Sequence, residues 1–336
     1  MKIIDLFSGI GGFALGFQRA GYQFTEHYFS EIDKNAIANY KYNFPHAKNL
    51  GDITSLQPAD IAGADIVTFG SPCQDFSLAG KRTGLKGNKS SLIQHAIALI
   101  THVRPSIFIW ENVKGAYSSN AGADFWAIIQ AFANIDGYRF EQQLLNTKWL
   151  LPQNRERIYF IGHLAGRSIP GVFPIGENDF PSTEKTESQL QAPISTTLKA
   201  SGAMRPDDTY IIPMVAATLT GGGHSGGLHS DMTVIRQLKR GKNKGADLKI
   251  CPTISSNAFQ ENNLLNGVRR LTEIECERLQ GFPDNWTQYG DYNGTIKPIA
   301  KTQRYKLIGN AVTVDIVTMI AKRLKFIENE NHKIPC

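Results

Sequence analysis

Cys73 lies in a sequence context that suits a catalytic nucleophile. It follows the apolar run at residues 65–69, within the segment GSPCQDFS. A strand of this kind delivers the next residues to the carboxyl edge of an α/β sheet, where ligands bind. Pro72 restricts the backbone just before the thiol. A buried cysteine that only fills space is the alternative, but the polar flanks fit it poorly, so the context favours a nucleophile.

Glu111 and Asn112 follow a second apolar run. Residues 107–110 read IFIW and pass directly into ENV. Because the carboxyl ends of parallel strands share one edge of a sheet, we expect Glu111 near Cys73. Alone, Glu111 fits an ordinary surface loop equally well. Its place beside a thiol and a glycine-rich turn favours a shared pocket.

Gly9, Gly11 and Gly12 form a glycine-rich turn between a strand and a helix, in the pattern G-x-G-x-x-[G/A]. Such a turn lets the backbone approach a nucleoside cofactor closely. Glu31 and Asp33 follow about 20 residues later, where a ribose diol would lie. The turn predicts a nucleoside cofactor without distinguishing nicotinamide dinucleotides from S-adenosylmethionine. A tight turn that binds nothing is the alternative.

Arg155 and Arg157 precede a further apolar run in QNRERIYFIG. If the strand extends back to them, alternation places both guanidinium groups on one face. Paired guanidinium groups suit a phosphate or a carbonyl oxygen. Taken alone, a solvated cluster of charges explains them as well.

The elements that position these residues alternate between strand and helix over the first 165 residues. This alternation predicts an α/β, Rossmann-like doubly wound domain. The predicted strands are residues 3–7, 27–29, 65–69, 107–110, 140–145 and 157–161. The predicted helices are residues 13–20, 92–102, 271–279 and 314–326, the third with Thr272 and Glu275 as a capping box.

The middle of the chain differs in composition. Residues 170–268 are rich in glycine, proline, serine, threonine and asparagine and lack a long helical period. Such a change predicts a separate, smaller, loop-rich β domain. We therefore expect a first domain at 1–167, completed by 300–336, and a second domain with its hinge at 168–299.

Composition excludes several other classes of protein. The chain has 336 residues, of which 41% are hydrophobic and 20% are charged. This is ordinary for a globular protein, with no membrane-spanning run and no signal-peptide core, so we expect an intracellular, cytoplasmic protein. Its four cysteines form no C-x-x-C pair, which argues against disulfides and a metal site. The net charge of +6 mildly favours a polyanionic partner.

Taken together, the motifs resemble the DNA (cytosine-5) methyltransferase family, and the resemblance spans nearly the whole chain. Its blocks appear in the family's order: DLFSGIGGF, EID, GDIT, GSPCQDFS, ENV, QNRERIYFIG, RRLTEIECERLQGFPDNW and RYKLIGNAV. The resemblance implies a class I methyltransferase fold and the methylation of carbon 5 of cytosine in duplex DNA. It implies S-adenosylmethionine as cofactor, S-adenosylhomocysteine as product, and no metal.

The resemblance also assigns residues to the cofactor pocket. Glu31 would hold the ribose hydroxyls, Asp52 the adenine amino group, and Asn310 would close the pocket. Ile32 stands where many relatives carry an aromatic residue, and Ala311 where many carry serine. The remaining pocket residues implied are Phe7, Gly9, Gly11, Gly12, Ile53, Pro72 and Val312.

Catalysis and DNA binding follow from the same resemblance. Cys73 would attack carbon 6 of a flipped cytosine, Glu111 would meet ring nitrogen 3, and Arg157 would contact the carbonyl and favour the thiolate. Asn112 would brace the cysteine segment. The DNA contacts implied or expected are Gln74, Ser77, Arg82, Arg155, Lys239 and Arg240, the last two within a basic stretch that suits phosphate and suits a solvated loop nearly as well.

Three alternatives remain open at this level. A methyltransferase that acts on tRNA is the first, although the Cys-Phe-Thr signature of those relatives does not occur here. A catalytically silent DNA-binding homologue is the second, and intact Cys73, Glu111 and Arg157 argue against it. A nicotinamide oxidoreductase is the third. We expect a monomer, with a cognate restriction endonuclease as a separate candidate partner.

Overall fold

A mainly parallel sheet of seven strands organises the described part of the chain. The computed structural model describes residues 1–71, 91–176, 179 and 269–327, with short strands at 235–237, 246–248, 251–252 and 263–265. The sheet has the order β3-β2-β1-β4-β5-β7-β6. Its strands are β1 Lys2–Leu6, β2 Glu26–Ser30, β3 Lys48–Asn49, β4 Ile66–Gly70, β5 Ile107–Val113, β6 Tyr138–Asn146 and β7 Glu156–Leu164.

The direction of β7 corrects the simple parallel sheet expected from the sequence. β7 runs antiparallel to both of its neighbours, β5 and β6, whereas the other neighbouring strands are parallel. The first residues of β7 therefore meet the carboxyl end of β5, and Arg157 pairs with Val113 in the register. This reversal brings Arg157 to the edge where Glu111 lies.

Helices cover both faces of the sheet. They are α1 Gly12–Arg19, α2 Lys34–Asn43, α3 Ser91–Val103, α4 Ala123–Ala133, α5 Glu273–Leu279, α6 Lys301–Asn310 and α7 Val314–Arg323. Short 3₁₀ turns occupy Ile53–Ser55, Pro58–Ile61, Lys114–Gly122 and Thr147–Trp149. The predicted capping box of α5 is present, with Thr272 and Glu275 bonded reciprocally.

Alternation along the strands divides the core into two layers. Leu6, Phe69 and Trp110 lie in one buried cluster together with residues of α3 and α4. Ile3 and Ile109 lie in the opposite cluster, with residues of α1 and α7. Since both faces are covered, the central strands read as continuous apolar runs, as buried parallel strands do.

The C-terminal helices return to the first domain. In α1, a Cβ at Gly16 would lie 2.5 Å from Val317 Cγ1 of α7, so glycine permits the close approach. Ser168–Ile169 pairs with Lys325–Phe326. The predicted last helix is thus confirmed, and it ends at Arg323 rather than at residue 326.

Two segments assigned to the predicted second domain and hinge pack against the first domain. Val172 and Ile175 are buried in the first domain's core. The side chain of Asn39 donates hydrogen bonds to the carbonyls of Trp286 and Tyr289. Residues 168–176 and 271–299 therefore pack with the first domain, outside the bounds predicted for it.

Smaller strand pairs complete the described structure. Gln153–Asn154 pairs with Cys251–Pro252, and Tyr289–Tyr292 forms a hairpin with Thr295–Pro298. A four-stranded antiparallel sheet comprises Ala246–Leu248, Ile235–Gln237, Asn263–Leu265 and Arg269–Arg270. Within the described ranges no helix is long and apolar enough to cross a membrane.

Candidate active site

Ser71 fixes the chain at the point from which Pro72 and Cys73 continue. Its Oγ accepts hydrogen bonds from Trp110 Nε1 at 3.0 Å and Asn112 Nδ2 at 3.1 Å, and all three side chains are buried. Trp110 and Asn112 are two residues apart on β5, so both side chains face the same way. The end of β4 is therefore bonded to β5 directly before the predicted nucleophile.

Glu111 and Arg157 form an ion pair on the same edge. Arg157 Nε lies 3.1 Å from Glu111 Oε1, and their side chains are only 16% and 11% exposed. A Cβ at Gly70 would lie 3.1 Å from Glu111 Oε2, so glycine leaves room for the carboxylate. Arg157 NH1 also donates to the Glu156 carbonyl at 2.7 Å. Glu111, the predicted acid, and Arg157, the predicted contact to the cytosine carbonyl, thus lie together beside Gly70 at the end of β4.

The glycine-rich turn has an unusual backbone that Glu31 stabilises. Phe7, Gly9 and Gly11 have positive φ angles of 51°, 54° and 82°. Glu31 Oε2 accepts from the backbone N–H of Gly9 at 2.9 Å, and its Oε1 accepts from those of Ile32 and Asp33. The carboxylate just after β2 is therefore held against the turn.

Two further predicted cofactor residues lie at the ends of neighbouring strands. Ile32 is 74% exposed, an apolar side chain that an adenine ring would cover. Asp52 is exposed and caps the turn at Ile53–Ser55 by accepting from Thr54 N at 2.9 Å, while Ile53 is buried. The order of strands β3, β2 and β1 places Asp52, Ile32 and the glycine turn in sequence along one edge.

The C-terminal segment closes over the glycine turn. A Cβ at Gly12 would lie 2.7 Å from Val312 Cγ2 and 3.3 Å from Phe282 Cζ. Trp286 Nε1 donates to the Ile10 carbonyl at 3.0 Å. Asn310 is exposed at the end of α6. Val312 thus lies against the turn, and its contact with the cofactor stays a prediction.

Two carboxyl groups near the turn have altered pKa values. Burial raises the pKa of Asp5 well above its usual value, although Thr68 and Tyr40 donate hydrogen bonds to it. Burial also opposes ionisation of Asp33, yet the hydrogen bond from Lys306 at 2.6 Å lowers its pKa. Asp33 therefore serves as an ionised link between α2 and α6.

Arg155 occupies a different position from the expected phosphate contact. It is 3% exposed, and its NH2 donates to the Ala311 carbonyl at 2.7 Å. Both terminal nitrogens also lie 3.4 Å from the Gly309 carbonyl. Arg155 lies one residue before the start of β7. The alternation of strand side chains, which would place it on the same face as Arg157, therefore does not apply to it. Its guanidinium links this loop to the segment that carries Asn310 and Val312.

Several predicted site residues lie outside the described part of the chain. They are Pro72, Cys73, Gln74, Ser77, Arg82, Lys239 and Arg240. Ser71, Trp110 and Trp286 are absent from the sequence-based prediction although they make the contacts above. In the ranges that the structure covers, no group of three or more metal-binding side chains occurs.

The profile of a known family fits this arrangement. The family described as C-5 cytosine-specific DNA methylase matches residues 1–326. The chain belongs to this family. It is a DNA (cytosine-5) methyltransferase with a Rossmann-like fold, which confirms the predicted family and fold class.

Two type II methyltransferases and one solved structure align with almost the whole of this methyltransferase. It is 32% identical to the type II methyltransferase M1.ScrFI of Lactococcus lactis subsp. cremoris, over 99% of this chain and 80% of that protein. It is 33% identical to the type II methyltransferase M.NgoBI of Neisseria gonorrhoeae, over 96% and 92% respectively. The crystal structure of the S. pombe Dnmt2 methyltransferase has the same fold, with a TM-score of 0.60 and 20% identity over 95% of this chain and 97% of that one.

Proposed function

We propose that this methyltransferase modifies carbon 5 of cytosine in duplex DNA through a covalent adduct of Cys73. The observation that carries the proposal is the Glu111–Arg157 pair, 3.1 Å apart and mostly buried, beside Gly70, which lies three positions before Cys73 in the chain. An acid, a guanidinium group and a thiol then meet on the sheet edge that also carries the glycine turn.

Cytosine itself explains why these three groups are needed. Carbon 5 is too electron-poor to accept a methyl group unaided, and addition of a thiolate to carbon 6 makes carbon 5 enamine-like. An unperturbed thiol with a pKa of about 8.5 is only a few per cent thiolate at neutral pH. Arg157 supplies positive charge near the thiol. Glu111 meets ring nitrogen 3 as the adduct forms.

The ion pair must rearrange when a base enters. Arg157 would move part of its hydrogen bonding from Glu111 to the cytosine carbonyl, and Glu111 would turn to ring nitrogen 3. Both groups are then paired with the base rather than left as buried charges, which avoids a large desolvation cost. Asn112 holds Ser71 throughout and keeps the entry to Pro72-Cys73 in place.

The residues present fit S-adenosylmethionine, which supplies an electrophilic methyl group when bound. Glu31 would bind the ribose hydroxyls, Ile32 the face of the adenine and Asp52 its amino group. No described atom lies within 4 Å of a Cβ built at Gly9, so the turn is open on that side. Asn310 and Val312 would complete the pocket from the C-terminal segment, with S-adenosylhomocysteine left as the product.

DNA recognition belongs to the second domain in this proposal. The target base leaves the helix and enters the pocket, at a cost of a few kcal/mol. The segment 177–268, with Lys239 and Arg240, would contact the flanking duplex. The names of the relatives favour a type II modification enzyme. We propose in addition that it acts in the cytoplasm as a monomer, with a cognate endonuclease acting independently.

Transfer of labelled methyl groups tests the substrate. The chain should label duplex DNA from a methylation-free host and leave tRNA unlabelled. The reason is that the proposed second domain would contact the DNA duplex on either side of the flipped cytosine. Bisulfite sequencing of that DNA should then map a defined site. Labelling confined to tRNA would instead favour the RNA-acting alternative.

Substitution of Gly9 tests the cofactor site. Gly9→Ala should weaken S-adenosylmethionine binding by about tenfold, equivalent to roughly 1.4 kcal/mol, because its Cβ would enter the open side of the turn. Isothermal titration calorimetry measures the change. Gly21→Ala is the matched control, since Gly21 also has a positive φ and no described atom within 4 Å. Equal losses in both variants would contradict the assignment.

A further inference from the structure

Glu277 is a fully buried carboxylate of α5 that the proposed chemistry does not use. It accepts hydrogen bonds from the backbone N–H of Asn285 at 2.7 Å and of Thr287 at 2.8 Å, and from the Thr287 hydroxyl. Arg304 of α6 completes the group, with NH2 2.9 Å from Glu277 and Nε 2.9 Å from the Thr287 hydroxyl. Desolvation largely offsets the attraction within such a pair. The Glu277–Arg304 pair therefore acts mainly by holding neighbouring segments of the chain in place.

One structure it holds is the loop that carries Trp286. Asn285 and Thr287 flank this residue, so Glu277 fixes the backbone on both sides of it. The Trp286 indole donates to the Ile10 carbonyl inside the glycine turn. The carboxylate therefore helps to hold the indole at the turn.

The second structure is α6. Arg304 anchors this helix to α5 through Glu277. α6 ends at Asn310, and Val312, two residues later, packs against Gly12. A shift of α6 would therefore displace the closing contacts of the C-terminal segment.

We propose that Glu277 and Arg304 are positioning residues for the cofactor site. They hold Trp286 and Val312 against the glycine turn, and so set the affinity for S-adenosylmethionine without touching it. This inference rests on the proposed function, because it takes the glycine turn as the cofactor site.

Measurements of stability and of affinity for S-adenosylmethionine distinguish a positioning role of Glu277 and Arg304 from a role in packing alone. In Glu277→Ala a buried guanidinium loses its partner, and both the urea midpoint and the affinity should fall. In the double variant Glu277→Ala/Arg304→Ala no unpaired buried charge remains from this pair, so part of the stability lost in Glu277→Ala should return. The affinity for S-adenosylmethionine, measured by calorimetry, should stay weaker by about tenfold or more, because Asn285 and Thr287 still lack their carboxylate.

Two further variants sharpen the test. Asn285 donates to Oε2 of Glu277 and Thr287 to Oε1, so Glu277→Gln keeps an oxygen acceptor for only one of these two N–H groups. Its affinity should therefore lie between that of the wild type and that of Glu277→Ala. Asp284→Ala removes the partially exposed ion pair with Arg278 in the same loop and should leave binding unchanged. The rate at saturating cofactor should change by less than about twofold in the double variant, so the loss is in KM rather than kcat.

The results that would contradict the positioning role differ from the result that would contradict the proposed function. Wild-type affinity in the folded double variant, with or without recovered stability, would overturn the positioning role. A loss confined to kcat would overturn it as well. If the wild-type chain itself failed to bind S-adenosylmethionine, the proposed function would fall, and this inference with it.

Discussion

Cys73→Ser should reduce methyl transfer to duplex DNA by about a thousandfold or more, an increase in the barrier on the order of 4 kcal/mol. A serine hydroxyl ionises far less readily than a thiol, so addition to carbon 6 is lost at neutral pH. Transfer of labelled methyl groups under single-turnover conditions measures the change. Binding of S-adenosylmethionine should persist, since Cys73 acts on the base.

The chain contains a matched control for this substitution. Pro335-Cys336 repeats the Pro72-Cys73 dipeptide, but the preceding sequence, ENENHKI, contains no apolar run. Cys336→Ser should retain full activity. Undiminished transfer by Cys73→Ser, or equal losses in both variants, would contradict a nucleophile at Cys73.

Glu111→Gln should lower the rate of methyl transfer by about 10²–10⁴-fold, the range typical of general acid–base groups. Glutamine preserves the shape of the side chain but cannot deliver a proton to ring nitrogen 3. It also removes the negative partner of Arg157. Since the reacting base is affected rather than the cofactor, the KM for S-adenosylmethionine should remain near the wild-type value.

Glu156→Gln is the control for Glu111. Glu156 lies beside Arg157 in the chain, and its carboxylate pairs with Lys114 at the surface, 2.9 Å away. Exposed pairs of this kind contribute little, so activity should stay within about twofold of the wild type. A loss as large as that of Glu111→Gln would mean that charge around Arg157, rather than proton delivery, sets the rate.

Most strands were predictable because they are buried on both faces and read as apolar runs. The reversed direction of β7 could not be predicted in this way, because the hydrophobic pattern of a strand carries no information on the direction in which the strand runs. That reversal is what brings Arg157 onto Glu111. The family resemblance therefore anticipates that Glu111 and Arg157 share a site, whereas the hydrophobic pattern of the strands does not.

Three helices escape the sequence pattern for different physical reasons. α4 is apolar around most of its circumference, so no polar face marks its period. α2 contains asparagine and tyrosine, which are weak helix formers, and buries Asn39 through hydrogen bonds. α6 packs partly through Arg304, whose partner Glu277 lies on α5. A polar contact of this kind is invisible to hydrophobic periodicity.

The motifs single out residue types that function constrains. The structure brings Glu111 together with Arg157, and Glu31 and Val312 together with the glycine turn, while their roles stay predictions. Arg155 differs from the expected phosphate contact, because its guanidinium binds main-chain carbonyls of the C-terminal segment. Ser71 and Trp286 carry no chemical signature, and only tertiary contacts reveal what they hold.

The covalent adduct can be trapped with a duplex that carries 5-fluorocytosine at the mapped target site. Fluorine occupies the position from which a proton must leave after methyl transfer, so Cys73 cannot be expelled. With S-adenosylmethionine present, the wild-type chain should form a denaturation-resistant complex whose digest contains the Cys73 peptide joined to the base, and Cys73→Ser should form none. A wild-type chain that methylates the natural site yet yields no such complex would contradict the mechanism.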